Sequence, residues 1–161
     1  MTISRRFLAA IALLLATVAP LSAQGNGERE QVLAVIQTFF DAMRAKDTAA
    51  VRATFEPGAR LVGIRPNAKG ETVVQSLSLD VWVAFIGRDK RPDWTERAWN
   101  PEVRITGTLA TVWAEYDFHF GSTFSHCGFD AVQLLRTVAG WKIVSIADTY
   151  QPADCVRHPP P

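Results

Sequence analysis

The chain is poor in the residues that usually announce a chemistry. Of its 161 residues only two are cysteine, two methionine, two tyrosine and three histidine. Two cysteines cannot build a metal cluster, so no metal site is expected. No glycine-rich phosphate loop, dinucleotide fingerprint or serine nucleophile elbow occurs, and nothing in the sequence holds a cofactor. Any reaction here is expected to be cofactor-independent. An excess of charge is missing as well, because 17 Lys and Arg stand against 16 Asp and Glu. Without a basic surplus to follow a phosphate backbone, nucleic acid is not an expected partner. Internal repeats and low-complexity linkers are also lacking, which leaves one domain.

One short run is strongly apolar. Arg5 and Arg6 precede the stretch from Phe7 to Val18, and Leu21-Ser22-Ala23 supplies small residues for cleavage, so residues 1–23 read as a signal peptide. The run is too short for a bilayer span and no stop-transfer pattern follows, so no stable membrane anchor is expected. The cleavage site has no cysteine for a lipid. The general secretory route fits better than twin-arginine export, since the Arg5-Arg6-Phe7-Leu8 order lacks a residue of that motif. The product is then periplasmic or secreted. Removing the signal leaves about 138 residues, with 15 basic against 16 acidic side chains, a normal single-domain size. The domain is placed at 24–155, and 156–161, ending in His158 and three prolines, reads as a frayed tail.

In an oxidising compartment Cys127 and Cys155 are expected to form a disulfide that ties the tail to the preceding strands. The alternative is a buried thiol at Cys127 with a free one at Cys155.

From Glu28 to Lys46 the residues Val32, Leu33, Val35, Ile36, Phe39, Phe40 and Met43 recur at three and four, the spacing of an amphipathic helix. Asp47 caps a second helix from Thr48 to about Phe55, which Glu56-Pro57-Gly58 ends. Strands are expected over Arg60–Arg65 and Thr72–Leu77, with a helix from Leu79 to Ile86 capped by Ser78 and ended by Gly87. After Asp93 the pattern is β: Thr95–Thr106, Leu109–Phe120, Thr123–Thr137 and Trp141–Tyr150. Helices first and a long meander after predict an α+β domain whose helices cover one face of a curved, mostly antiparallel sheet.

Turn lengths then predict which side chains share a face. A two-residue Gly121-Ser122 turn sets Asp117 opposite His126 and Trp113 opposite Asp130. A three-residue turn ending at Gly140 sets Asp148 opposite Asp130, Ile146 opposite Val132 and Val144 opposite Leu134; a two-residue Ala139-Gly140 turn would send Asp148 to the other side. The expected helix-covered face therefore carries Asp117, His126, Asp130 and Asp148 at a polar end, over a floor of Trp113, Val132, Leu134, Val144 and Ile146. The opposite face would hold Ala110, Val112, Ala114, Tyr116, Phe118, Phe120, Phe129 and Ala131. That is too apolar for water, which predicts a homodimer through this face.

The stretches TVWAEYDFHF, FSHCGFDAVQLL and GWKIVSIADT resemble the nuclear transport factor 2-like superfamily, and most closely its small exported bacterial members, the SnoaL-like or lumazine-binding-like proteins. The resemblance covers the mature chain and is strongest at His126-Cys127-Gly128, Asp130, Gly140–Val144 and Ala147-Asp148-Thr149. It implies a cone-shaped fold that serves ketosteroid isomerases, scytalone dehydratase, polyketide cyclases and plain binding proteins alike. The isomerase set does not transfer, because Tyr116 falls on the wrong strand parity. Nor does the dehydratase set, since only His119 and His126 are at hand.

Three readings follow. The first is a pocket for a small apolar ligand with one polar end. The second is an isomerase, cyclase or dehydratase using His126 with Asp117, or Asp130 sharing a proton with Asp148. The third is a protein-interaction module. Against the first two stands a structural role, in which strand carboxylates accept backbone bonds and a cross-strand His–Asp pair only steadies the sheet.

Overall fold

A computed structural model describes residues 21–155. The expected signal segment before Leu21 and the tail after Cys155 lie outside the described residues. Two helices open the domain, α1 (Leu21–Arg44) and α2 (Thr48–Thr54). The apolar stripe of α1 does what its spacing requires, with Val32, Ile36, Phe39, Phe40 and Met43 all buried. Asp47 caps α2 by accepting from the backbone N–H of Ala49 and Ala50.

The first strand, β1 (Phe55–Pro66), begins directly after α2 and earlier than expected. Glu56-Pro57-Gly58 does not separate helix from strand. It forms an irregularity inside the strand, with Gly58 at φ 85° and a register shift between Phe55 and Arg60. Then come β2 (Thr72–Ser78), α3 (Leu79–Arg88), β3 (Trp94–Thr106), β4 (Leu109–Phe120), β5 (Thr123–Thr137) and β6 (Gly140–Thr149). Ser78 caps α3 as expected, but Gly87 lies within the helix rather than ending it.

The six strands form one sheet in the order β2-β1-β6-β5-β4-β3. Every pairing is antiparallel except β1 with β6, which is parallel. The last strand thus inserts beside the first, and the helices close over the concave side to give an α+β cone. No helix among the described residues is long and apolar enough to cross a membrane.

Two bulges correct the expected registers. The Gly121-Ser122 turn is the predicted one, with Phe120 opposite Thr123 and His119 opposite Phe124. Ser125 is then extra, so Phe118 meets His126, Asp117 meets Cys127 and Trp113 meets Ala131. That single residue inverts β4. Ala110, Val112, Ala114, Tyr116 and Phe118 face the helices and are buried, whereas Asp117 and Trp113 lie on the convex side. The apolar face assigned to a dimer is therefore the core, leaving Phe129 and Ala131 outside. In the next hairpin the turn is Val138-Ala139, with Thr137 opposite Gly140, and Val144 is the extra residue. Asp148 still meets Asp130 and Ile146 still meets Val132, but Ile143, not Val144, lies against Leu134.

Candidate functional site

The cone encloses a cavity of about 330 Å³. Its floor comes from alternate residues of neighbouring strands: Leu61, Gly63 and Arg65 from β1, Ile146 and Asp148 from β6, Asp130 and His126 from β5, Tyr116 and Phe118 from β4, and Glu96 from β3. The helices add Phe39 and Met43 from α1, with Trp82 and Phe85 from α3. The aromatic wall is continuous. Trp94 makes edge contacts with Trp82 at 6.4 Å and with Phe118 at 5.8 Å, measured between ring centroids.

Three carboxyls meet at the polar end. Asp130 and Asp148 are cross-strand partners, and Glu96 shares a hydrogen bond with Asp130. Asp130 is 4% exposed. Burial first, and then the charge of Asp130 and its hydrogen bond, push Glu96 well above the usual carboxylate range. Burial likewise lifts Asp130 to about 7; the Glu96 hydrogen bond opposes that rise and Asp148 adds to it. Asp148 is raised by burial against the pull of Arg65, its own backbone N–H and the Tyr116 hydroxyl. At neutral pH the Glu96–Asp130 pair thus retains a proton. It can donate to a ligand oxygen, or accept a proton from carbon once ionised.

Tyr116 is on the inner face, which corrects the parity expected for it. Its hydroxyl donates to the Thr149 carbonyl at 2.8 Å. That carbonyl has turned out of the ladder, and Phe129 N–H donates instead to the Thr149 Oγ1 at 2.9 Å. Gly128 makes the turn feasible, because a Cβ there would overlap the Thr149 carbonyl oxygen. Burial, and then the nearby Glu96, Asp148 and Asp130, keep its phenol protonated.

His126 does not pair with Asp117. Its ring is sandwiched between Tyr150 at 4.0 Å and Phe118 at 4.9 Å, and its Nδ1 lies 3.0 Å from Ser125 Oγ. Burial, with Arg65 next, lowers its pKa to about 4, so the ring is neutral at pH 7. Asp117 sits outside the cone, bound by Arg97 through Nε at 2.9 Å and Nη2 at 2.6 Å. His119, not His126, is the histidine beside it, at 3.7 Å.

The other expected pocket residues divide. Ile146 lines the cavity. Leu134 is fully buried and does not line it, Val144 is half-buried at its bulge, and Val132 faces a separate space of about 200 Å³ under α1. Trp113 is 50% exposed on the convex side and stacks on Phe129 at 5.4 Å. Glu96, Arg65, Tyr116 and Tyr150 were not among the expected site residues. For Arg65 a signal existed, since the alternation of Leu61, Gly63 and Arg65 puts all three on one face. Cys127 and Cys155 are joined, with Cα atoms 6.0 Å apart. Among the described residues no group of three or more His, Cys, Asp or Glu is arranged to hold a metal.

A family described as "Putative lumazine-binding" matches residues 27–148. No curated protein matches the chain. Among solved structures, a protein from Streptomyces avermitilis described as a putative dehydratase of the NTF2-like family is similar. It is 17% identical, with 80% of this chain and 99% of that one covered and a TM-score of 0.64. An NTF2-like protein of unknown function from Shewanella baltica is 17% identical over 80% of this chain and 97% of its own, TM-score 0.60. A protein from Novosphingobium aromaticivorans described as a putative aromatic ring hydroxylase is 16% identical over 78% and 90%, TM-score 0.61. At these identities the likeness shows a shared fold.

Proposed function

The chain belongs to the putative lumazine-binding family, and we propose that its cone cavity binds a small, largely apolar ligand whose one polar end meets Glu96, Asp130 and Asp148. The observation that carries this reading is the cavity itself. About 330 Å³ of space walled by aromatic rings ends at a buried, proton-sharing carboxyl pair. A domain that served only to present its surface would fill that space with side chains. Thermal-shift screening of small aromatic carbonyl compounds against the wild type, Asp130→Asn and Asp148→Asn tests the reading. Ligand-induced stabilisation is expected in the wild type and its loss in both variants, because lost binding removes only the RT ln(1 + [L]/Kd) contribution. Equal stabilisation of all three would contradict it.

One observation favours a cofactor-independent isomerase, cyclase or dehydratase as the second reading. Asp130, with a pKa near 7 and hydrogen-bonded to Glu96, is matched to proton transfer at working pH. Hydrogen–deuterium exchange at the carbon next to a bound carbonyl, followed by NMR and lost in Asp130→Asn, separates enzyme from binder.

Export through a cleaved signal peptide and assembly as a homodimer belong to the same proposal. The support for export is the apolar run after Arg5-Arg6, and a mature N-terminus near Gln24, read by mass spectrometry, tests it. The support for a dimer is the stacked Trp113–Phe129 pair on the convex face, with Trp113 half exposed; sedimentation of the wild type against Trp113→Glu tests it.

A further inference from the structure

We propose that Arg65 receives a carboxylate on the ligand, so that the compounds this cavity takes are small organic acids with a flat apolar body. The inference rests on the reading of the cone cavity as a binding site and adds the charge of what enters it.

The geometry begins in β1, where strand alternation puts Leu61, Gly63 and Arg65 on the concave face. The Arg65 side chain folds back along its own strand. A Cβ on Gly63 would collide with the Arg65 Nη2 and stand 3.0 Å from Nε, so the missing side chain at Gly63 is what lets the guanidinium lie down inside the cavity. There it faces the Tyr150 ring, 5.4 Å from the centroid.

The acids are provided for. Glu96 and Asp130 hold one another, and Asp148 takes its own backbone N–H and feels the charge of Arg65 without forming an ion pair with it, while the Tyr116 hydroxyl is spent on the Thr149 carbonyl. Arg91, the other arginine on the cavity, is held by Asp89 through Nε at 2.8 Å. Arg65 is different, because its Nε is buried with no hydrogen-bond partner, and among the described residues it forms no ion pair. A second donor lining the cavity, the indole N–H of Trp94 on β3, is also buried without a partner. Unpaired buried donors are costly to keep, and a guanidinium is shaped to bind a carboxylate through two parallel bonds. A ligand rich in acceptors completes this site, whereas a cationic ligand would leave both donors orphaned and add a charge beside Arg65.

The test uses three probes with one ring system and different heads: 2-naphthoate, 2-naphthamide and 2-naphthylmethylammonium, titrated calorimetrically into the purified protein. The expected result is naphthoate binding about tenfold or more tighter than the amide, as a charge-assisted bidentate contact implies. In Arg65→Gln that preference should fall to about twofold or less while amide binding persists, which shows the cavity intact. Gly63→Ala, which keeps the charge but displaces the guanidinium, should do the same and carries the comparison if Arg65→Gln fails to fold. Amide or ammonium binding as tightly as the acid, or a preference that survives in Arg65→Gln, overturns the inference alone. Failure of all three probes to bind overturns both the inference and the cavity reading beneath it.

Discussion

Asp130 ties the stability of the fold to pH. Its carboxyl is raised from 3.8 to about 7 in the folded protein, so between those values the native state holds a proton that the unfolded chain has released. The stability that Asp130 contributes is then fully present below about pH 4 and is lost as pH rises through 7. His126 works in the opposite direction. Its pKa, lowered to about 4, costs stability as pH falls from 6.5 toward 4, so the two effects offset each other in that window. Replacing Asp130 isolates one of them. Asp130→Asn keeps a partner for Glu96, and its melting temperature should fall less than that of the wild type between pH 5 and 8, by differential scanning calorimetry. A parallel pair of curves would mean that Asp130 is ionised in the folded protein. At this scale the sequence was partly legible. Asp130 and Asp148 face each other as the sequence predicts, although the turn is one residue shorter than expected, because the extra residue at Val144 restores the register. Glu96 was missed because its partner lies two strands away, across β4, a distance that no local pattern encodes.

Among the elements, β4 shows why patterning has to be weighed against turn counting. Its residues alternate cleanly, and the choice of face depended on a count through Gly121-Ser122 that one bulge at Ser125 undoes. The composition already held the answer, since a run of Ala110, Val112, Ala114, Tyr116 and Phe118 too apolar for water is simply the side that packs under the helices. The correction changes what a charge at Phe118 does. Phe118→Asp should not merely loosen an assembly; it should destabilise the subunit by about 3 kcal/mol or more, the cost of an unpaired buried charge. Urea unfolding at two protein concentrations distinguishes the outcomes, because weakened association depends on concentration and a lost core does not. The tail segment is held by a different device. The Cys127–Cys155 bond closes a loop spanning 28 residues and fastens the stretch that carries Tyr150 over His126. Cys155→Ser should cost about 3 kcal/mol in the chain-entropy account and loosen that ring pair, visible as faster amide exchange at Tyr150 and Gln151. Unchanged stability would show that the strand pairing of Cys127 with Gln151 alone secures the segment.

For the whole molecule, the α+β cone was legible because helical and strand periods occupy separate halves of the chain and only one layering buries both stripes. The cavity was not. An interior space is a difference between the volume that six strands and three helices enclose and the volume their side chains fill, and periodicity reports neither. Four of the five tryptophans provide a direct reading of that space. Trp82 and Trp94 line the cavity, while Trp113 stands on the convex face and Trp141 is packed in the core. Titrating 2-naphthoate into nitrogen-15-labelled protein and following the indole N–H signals therefore localises binding without a mutation. The account predicts saturable shifts at Trp82 and Trp94, with Trp113 and Trp141 unmoved. Shifts confined to Trp113, or none at saturating probe, would contradict the claim that the cone is a binding site.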